Sequence, residues 1–179
     1  LNCNGFKPTF CVYRTTINPN MIKDFCKTAI IVGEREVSYR AMLKRIELYA
    51  AETEMAEGDR TVIFSENREG WIYAFFSVWN NRGIAVPVDA TSTVDDVAYI
   101  LNDCRPRHLW CSASHADTAR SAAEKSGVDV ELHIIDELEK ADVDEGELKP
   151  YSWADEDATS LIIYTSGTTG SPKGVMLSF

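Results

Sequence analysis

One short stretch concentrates the groups that could do chemistry: Tyr164-Thr165-Ser166-Gly167-Thr168-Thr169-Gly170-Ser171-Pro172-Lys173-Gly174. Five aliphatic hydroxyls, three glycines and one lysine share these eleven residues. Gly167, Gly170 and Gly174 allow backbone turns and close approaches that side chains forbid. Turned amides, hydroxyl donors and an ammonium suit a polyphosphate, whose oxygens need many donors and charge neutralisation. Lys173 is the sole cation after Lys149, in acidic surroundings, which sharpens its effect. The same residue types also make a generic turn between two strands, and composition leaves both readings open. Spacing excludes two common nucleotide loops. In GxxxxGK[ST] the lysine directly follows the second glycine, whereas Ser171 and Pro172 intervene here and Gly174 follows the lysine. A GxGxxG dinucleotide fingerprint is absent as well.

The loop needs a rigid mount, and the apolar run Ser160–Thr165 reads as a strand leading into it. Upstream, strand and helix patterns alternate. Ala29–Val32 and Glu36–Tyr39 flank Gly33-Glu34-Arg35 as a hairpin, and Ser38 is placed to cap the next helix, which buries Met42, Ile46, Tyr49 and Ala50 and closes at Gly58-Asp59. Thr61–Ser65, Ile84–Val88, Arg107–Cys111 and Val130–Ile135 read as strands. Between them come a helix capped by Asn67 with an inner stripe of Trp71, Phe75, Val78 and Trp79, a helix over 94–101 capped by Thr93 with Asp96, and an alanine-rich helix over 113–125 stopped by Gly127. Pro87 argues for a strand end or a sheet edge. The alternation predicts a layered α/β fold with a mostly parallel sheet and flanking helices, its strands apolar on both faces, Ile30-Ile31-Val32 among them. Residues 1–27 are expected to form an N-terminal arm ending in a short helix after Asn18-Pro19-Asn20.

The whole chain has 179 residues, a formal charge of -10, 45% apolar and 26% charged residues, which is globular composition. Eleven acidic residues and two lysines lie between Glu131 and Asp157, so the negative charge is local, and Asp136–Pro150 reads as a solvated acidic segment. No basic face for nucleic acid emerges. Five cysteines, Cys3, Cys11, Cys26, Cys104 and Cys111, form no CxxC pair and are expected to be free, buried or half-buried thiols in a reducing, cytoplasmic compartment. His108, His115 and His133 stand singly, so no metal site is expected. No window reads as a transmembrane segment.

The stretch Ile162–Val175 resembles the phosphate-loop signature of the adenylate-forming, AMP-binding enzymes. Val37-Ser38-Tyr39, Gly58–Val62, Asn67–Trp71, Gly83–Asp89 and Val97–Asp103 resemble further segments of that family in order and spacing, so the likeness covers residues 28–179. The resemblance implies a two-step reaction: a carboxylate attacks the α-phosphate of Mg2+-bound ATP to give an acyl-adenylate and pyrophosphate, and a thiol then accepts the acyl group. It casts Thr165, Ser166, Gly167, Thr168, Thr169, Gly170, Ser171, Lys173 and Gly174 as the phosphate-binding set, with Lys173 and Thr165 foremost in catalysis. It implies coenzyme A as co-substrate and Mg2+ held mainly by residues outside these 179. Family enzymes are much longer. Residues 28–179 are therefore expected to be the N-terminal part of an AMP-binding domain, inactive alone and prone to self-association through surface meant for the remainder. The upstream text is most similar to fatty acyl-CoA synthetases, which makes a fatty acid–CoA ligase the leading expectation. An adenylation domain that loads an amino or aryl acid onto a carrier protein is the first alternative, and a non-catalytic nucleotide-binding or scaffolding piece the second.

Overall fold

The computed structural model describes residues 11–13, 26–143, 146–149, 154–155, 157–165 and 172–178. In chain order the strands are β1 (Cys11–Tyr13), β2 (Thr28–Val32), β3 (Arg35–Ser38), β4 (Arg60–Phe64), β5 (Ile84–Val88), β6 (His108–Cys111), β7 (Glu131–Ile134), β8 (Thr159–Thr165) and β9 (Lys173–Ser178). The helices are α1 (Tyr39–Ala51), α2 (Glu69–Asn80), α3 (Val94–Cys104), α4 (Ala116–Ser126) and α5 (Ile135–Glu139). Seven strands make one sheet in the order β1-β9-β8-β5-β4-β6-β7, parallel throughout except for the antiparallel β8–β9 pair. The expected layered α/β fold is what forms.

Successive residues of a strand point to opposite faces, and the sheet uses this to build two cores. Val62, Phe64, Val86, Val88, Leu109 and Cys111 pack against α3 and α4 on one side. Ile63, Ala85 and Trp110 pack against α1 and α2 on the other. Both faces being covered explains why these strands read as unbroken apolar runs.

Local signals explain most boundaries. Ser38 Oγ accepts from the Ala41 N–H at 3.1 Å and caps α1. Thr93 and Asp96 form a reciprocal capping box on α3. Gly127, at φ 65°, ends α4 in the left-handed conformation that favours glycine.

Several expectations need correction. Ile30-Ile31-Val32 is not in the central sheet: β2 pairs with β3 in a separate antiparallel ribbon, and Ile31 is 68% exposed. Helix α1 stops at Ala51, and Gly58-Asp59 lies in the loop beyond it. Asn67 does not cap α2. Arg68 occupies the cap position with no side-chain bond, and the Gly70 N–H is met instead by Glu139 Oε1 at 2.9 Å. The buried stripe of α2 is Gly70, Tyr73, Ala74, Ser77, Val78 and Trp79, while Trp71 and Phe75 are half-buried and stack at 5.3 Å. Pro87 falls at the end of β5 as expected, but in the interior of the sheet rather than at its edge. It is tolerated because β5 and β8 register at Ala85↔Leu161 and the ladder lapses toward the proline. Cys26 is exposed, whereas Cys104 and Cys111 are buried. Cys11–Tyr13 adds a strand beside β9 that the sequence pattern did not place; of the short helix expected over Met21–Lys27, Cys26-Lys27 form a bend instead, and the rest lies outside the described residues. No described helix is long and apolar enough to cross a membrane.

Candidate functional site

β8 and β9 form an antiparallel hairpin whose rungs include Ile163↔Val175, Tyr164↔Gly174 and, at its mouth, Thr165↔Lys173. Thr165 and Lys173 are exposed there, while Gly174 is buried one rung below. The expected phosphate-loop residues Ser166, Gly167, Thr168, Thr169, Gly170 and Ser171 lie outside the described residues. Both ends of that loop are therefore fixed on one rung. Because β8 runs parallel to β5, the rung stands at the carboxyl edge of the sheet, the side on which open α/β sheets bind ligands.

The mount is rigid for identifiable reasons. Ile162 is buried against the β4–β5–β6 core. The Tyr164 hydroxyl donates to Asp103 Oδ2 of α3 at 2.6 Å. Burial, then Cys104 and Asp103 beside it, push the Tyr164 phenol well above its ordinary range, so it keeps its proton and acts as donor. The residue before Thr165 is thereby tied to a helix, and Thr165 and Lys173 are left as a hydroxyl and an ammonium at the mouth of a glycine-rich turn. This is the donor set that a polyphosphate calls for.

The same edge carries a polar cluster that the sequence reading missed. Ser112 Oγ, following β6, donates to Glu66 Oε2 following β4 at 2.7 Å. His115 Nδ1 lies 2.7 Å from Ser112 Oγ, and its Nε2 meets the Ala90 carbonyl after β5 at 3.0 Å. Burial alone would raise the Glu66 pKa, but the Ser112 hydrogen bond, a backbone N–H, Arg68 and His115 outweigh it and hold the carboxyl below its usual range. Three strand ends are laced together in this way. Ser112 is fully buried, so its part is structural, not nucleophilic. Its signal in the sequence was positional: polar residues immediately after apolar strands.

The acidic segment after β7 is also more than a solvated surface. Arg68 pairs with Glu139, with Asp136 at 3.2 Å and with Glu66 at 3.1 Å. Asp136 also accepts from the Ala113 N–H at 2.7 Å. Against burial, that bond and Arg68 hold its carboxyl below the usual range. Arg68 and Glu139 also line a groove of about 1160 Å³ shared with Ile30, Val32, Arg35 and Trp71, which includes no residue of β8 or β9. His108 and His133, expected to stand singly, meet across β6 and β7 with Nδ1 and Nε2 3.1 Å apart.

The profile of a family described as "AMP-binding enzyme" matches residues 23–179. Tyrocidine synthase 2 of Brevibacillus parabrevis is 31% identical over 155 residues, which cover 84% of this chain and 4% of that protein. The O-succinylbenzoate coenzyme A synthetase of Bacillus subtilis, solved in complex with AMP, superposes with a TM-score of 0.68 at 27% identity, over 85% of this chain and 39% of that one. The N-terminal subdomain of NpsA from Klebsiella oxytoca superposes with a TM-score of 0.69 at 21% identity, over 84% of this chain and 38% of that one, and shares the fold. The chain thus spans well under half the length of each of these relatives.

Proposed function

Because the chain belongs to the family of AMP-binding enzymes, we propose that it is the phosphate-gripping N-terminal part of an acid-activating enzyme, one that joins a carboxylate to AMP and releases pyrophosphate. The observation that carries this reading is the rung Thr165↔Lys173, which fixes an exposed hydroxyl and an exposed ammonium at both ends of the glycine-rich loop.

In this reading Lys173 balances the charge that builds on the pyrophosphate as the α–β bond breaks, and Thr165 donates a hydrogen bond to the same leaving group. Ser166, Gly167, Thr168, Thr169, Gly170, Ser171 and Gly174 complete the cradle with hydroxyls and amides. Magnesium would neutralise further phosphate charge. In this reading the ion, the adenine and the acid are held mainly by residues other than the Thr165–Gly174 set.

For the acid and its acceptor, the reading best supported is activation of an amino or aryl acid for transfer to a carrier-protein thiol, since tyrocidine synthase 2 matches across 84% of the chain. A coenzyme A ligase, the fatty acid type included, is second. It draws on the likeness to the O-succinylbenzoate coenzyme A synthetase.

ATP–pyrophosphate exchange on the full-length protein tests this across amino, aryl and fatty acids, with Lys173→Ala as control. Exchange dependent on one acid class and abolished in the control is expected. A folded full-length protein silent across the whole panel would overturn the reading. Transfer of the activated acid to coenzyme A but not to a pantetheine carrier would favour the second reading over the first.

A further inference from the structure

We infer that His108, His133 and Glu131 form a binding site for a divalent transition ion of the zinc class, at the amino edge of the sheet and away from the Thr165–Lys173 rung. The strand register builds it. In the parallel β6–β7 pair, His108 stands opposite Glu131 and Trp110 opposite His133. Alternation along each strand puts all four on one face, and the two imidazoles and the carboxylate converge so that their ligand atoms all lie within 4.8 Å of one another.

The donor geometry is that of a metal site. His108 Nδ1 and His133 Nε2 are 3.1 Å apart. Two nitrogens bound to one tetrahedral zinc at its usual bond length lie about 3.3 Å apart. Glu131 approaches both, at 3.4 Å from His108 Nδ1 and 3.9 Å from His133 Nε2, so adjustments of a few tenths of an ångström to about one ångström close the set. Three protein ligands leave the fourth position to water, and the Glu131 side chain, 64% exposed, gives the ion a way in.

The outer contacts favour coordination too. His108 is fully buried, and its Nε2 lies 3.2 Å from the Glu54 carbonyl, which can only accept. Nε2 therefore carries the proton, and Nδ1 directs a lone pair at His133. A backbone carbonyl behind the ring is how proteins fix the tautomer of a metal-bound histidine. Burial, partly opposed by Glu131 and Glu52, disfavours the charged form of His133. Without metal, His133 Nε2–H donates to His108. With metal, that proton moves to His133 Nδ1, both lone pairs bind the ion, and no proton is released. Trp110, with ring centre 4.7 Å from that of His133, walls one side. Two imidazoles and one carboxylate select zinc, nickel or copper over magnesium and calcium, which prefer oxygen alone. The ion would clamp the edge strand β7 to β6 and to the loop carrying Glu54.

Zinc titration of the metal-free full-length protein, without ATP or magnesium and in competition with a chromophoric chelator, tests the site. The intact protein should take up one equivalent more than His133→Ala, and zinc should raise its melting temperature. Glu131→Gln alters an exposed side chain and so keeps the fold; it should weaken uptake at that site at least about 10-fold and remove the thermal shift. Zinc uptake and melting shift identical in the intact protein and Glu131→Gln would overturn the proposal, leaving His108 and His133 as a hydrogen-bonded pair. Absence of uptake by the intact protein would overturn it equally.

Discussion

Thr165 and Lys173 stand opposite each other on the last described rung of the β8–β9 ladder, so the two ends of the glycine-rich loop are held by backbone pairing. Both side chains are exposed, so their replacement should change binding without unfolding. In the full-length protein, Lys173→Ala should slow ATP–pyrophosphate exchange by about 100-fold or more, the usual scale for a lost charge stabiliser. Thr165→Ala should cost about 5- to 10-fold, as befits one neutral hydrogen bond. Both variants should melt within a few degrees of the parent.

How much of this was legible in the sequence follows from where the determining forces act. β4, β5, β6 and β8, the Ser38 and Thr93 caps and the Gly127 stop are local, and they formed as the pattern predicted. What escaped was set at long range. The hairpin of β2 and β3 formed as predicted, but Ile30-Ile31-Val32, as apolar as a core strand, stands outside the central sheet. Asn67 is a good cap by type, but Glu139, 69 residues further along the chain, supplies the acceptor to the Gly70 N–H. Of the candidate site, Thr165, Lys173 and Gly174 are in place at the hairpin mouth, and the loop residues between them lie outside the described set.

Helix α2 meets α5 at Gly70, where a methyl group would overlap Ile135 Cγ2 and stand 2.5 Å from Glu139 Oε1. Gly70→Ala should therefore destabilise the fold by about 1–3 kcal/mol, through overpacking and the disturbed Glu139 bond to the Gly70 N–H. Gly58→Ala meets no atom, but its φ of 83° leaves a strain of about 1–2 kcal/mol. Denaturant midpoints at constant slope measure both.

Arg68 and its carboxylates should govern acid stability. The Glu66 and Asp136 pKa values are lowered from 4.5 and 3.8. A depressed carboxylate stabilises the fold fully above its unfolded pKa and loses that contribution as pH falls through its folded pKa. Stability should thus hold above about pH 5 and fall progressively below pH 4. Arg68→Met should lose about 1–3 kcal/mol near neutrality, less than a fully buried pair because solvent reaches part of the cluster. Its stability should then decline less steeply in acid, as thermal melts across pH would show.

Thiol reactivity should divide Cys26 from Cys104 and Cys111. Burial pushes the Cys104 and Cys111 thiols up to about 12, whereas Cys26 is exposed. A water-soluble thiol reagent at neutral pH should modify Cys26 and spare the other two until the protein unfolds. Mass mapping of the labelled sites checks this.

Tyr164→Phe should keep the apolar packing of β8 and remove its bond to Asp103. A loss of about 1 kcal/mol in stability is expected, with a larger effect on exchange than on melting if the strand end needs that tie to hold Thr165 in place.

Strand β1 pairs with β9, so Cys11 lies beside Val175 near the other end of the sequence. A ribosome releases Cys11–Tyr13 early and must still make almost everything described above before a partner for them exists. The inner strands can assemble as they emerge, whereas this edge must wait. Its closure joins segments more than 160 residues apart, the kind of contact that slows folding and is left exposed longest. The hairpin that carries Thr165 and Lys173 is then also the template that admits β1, so the loop's mount and this seam mature together.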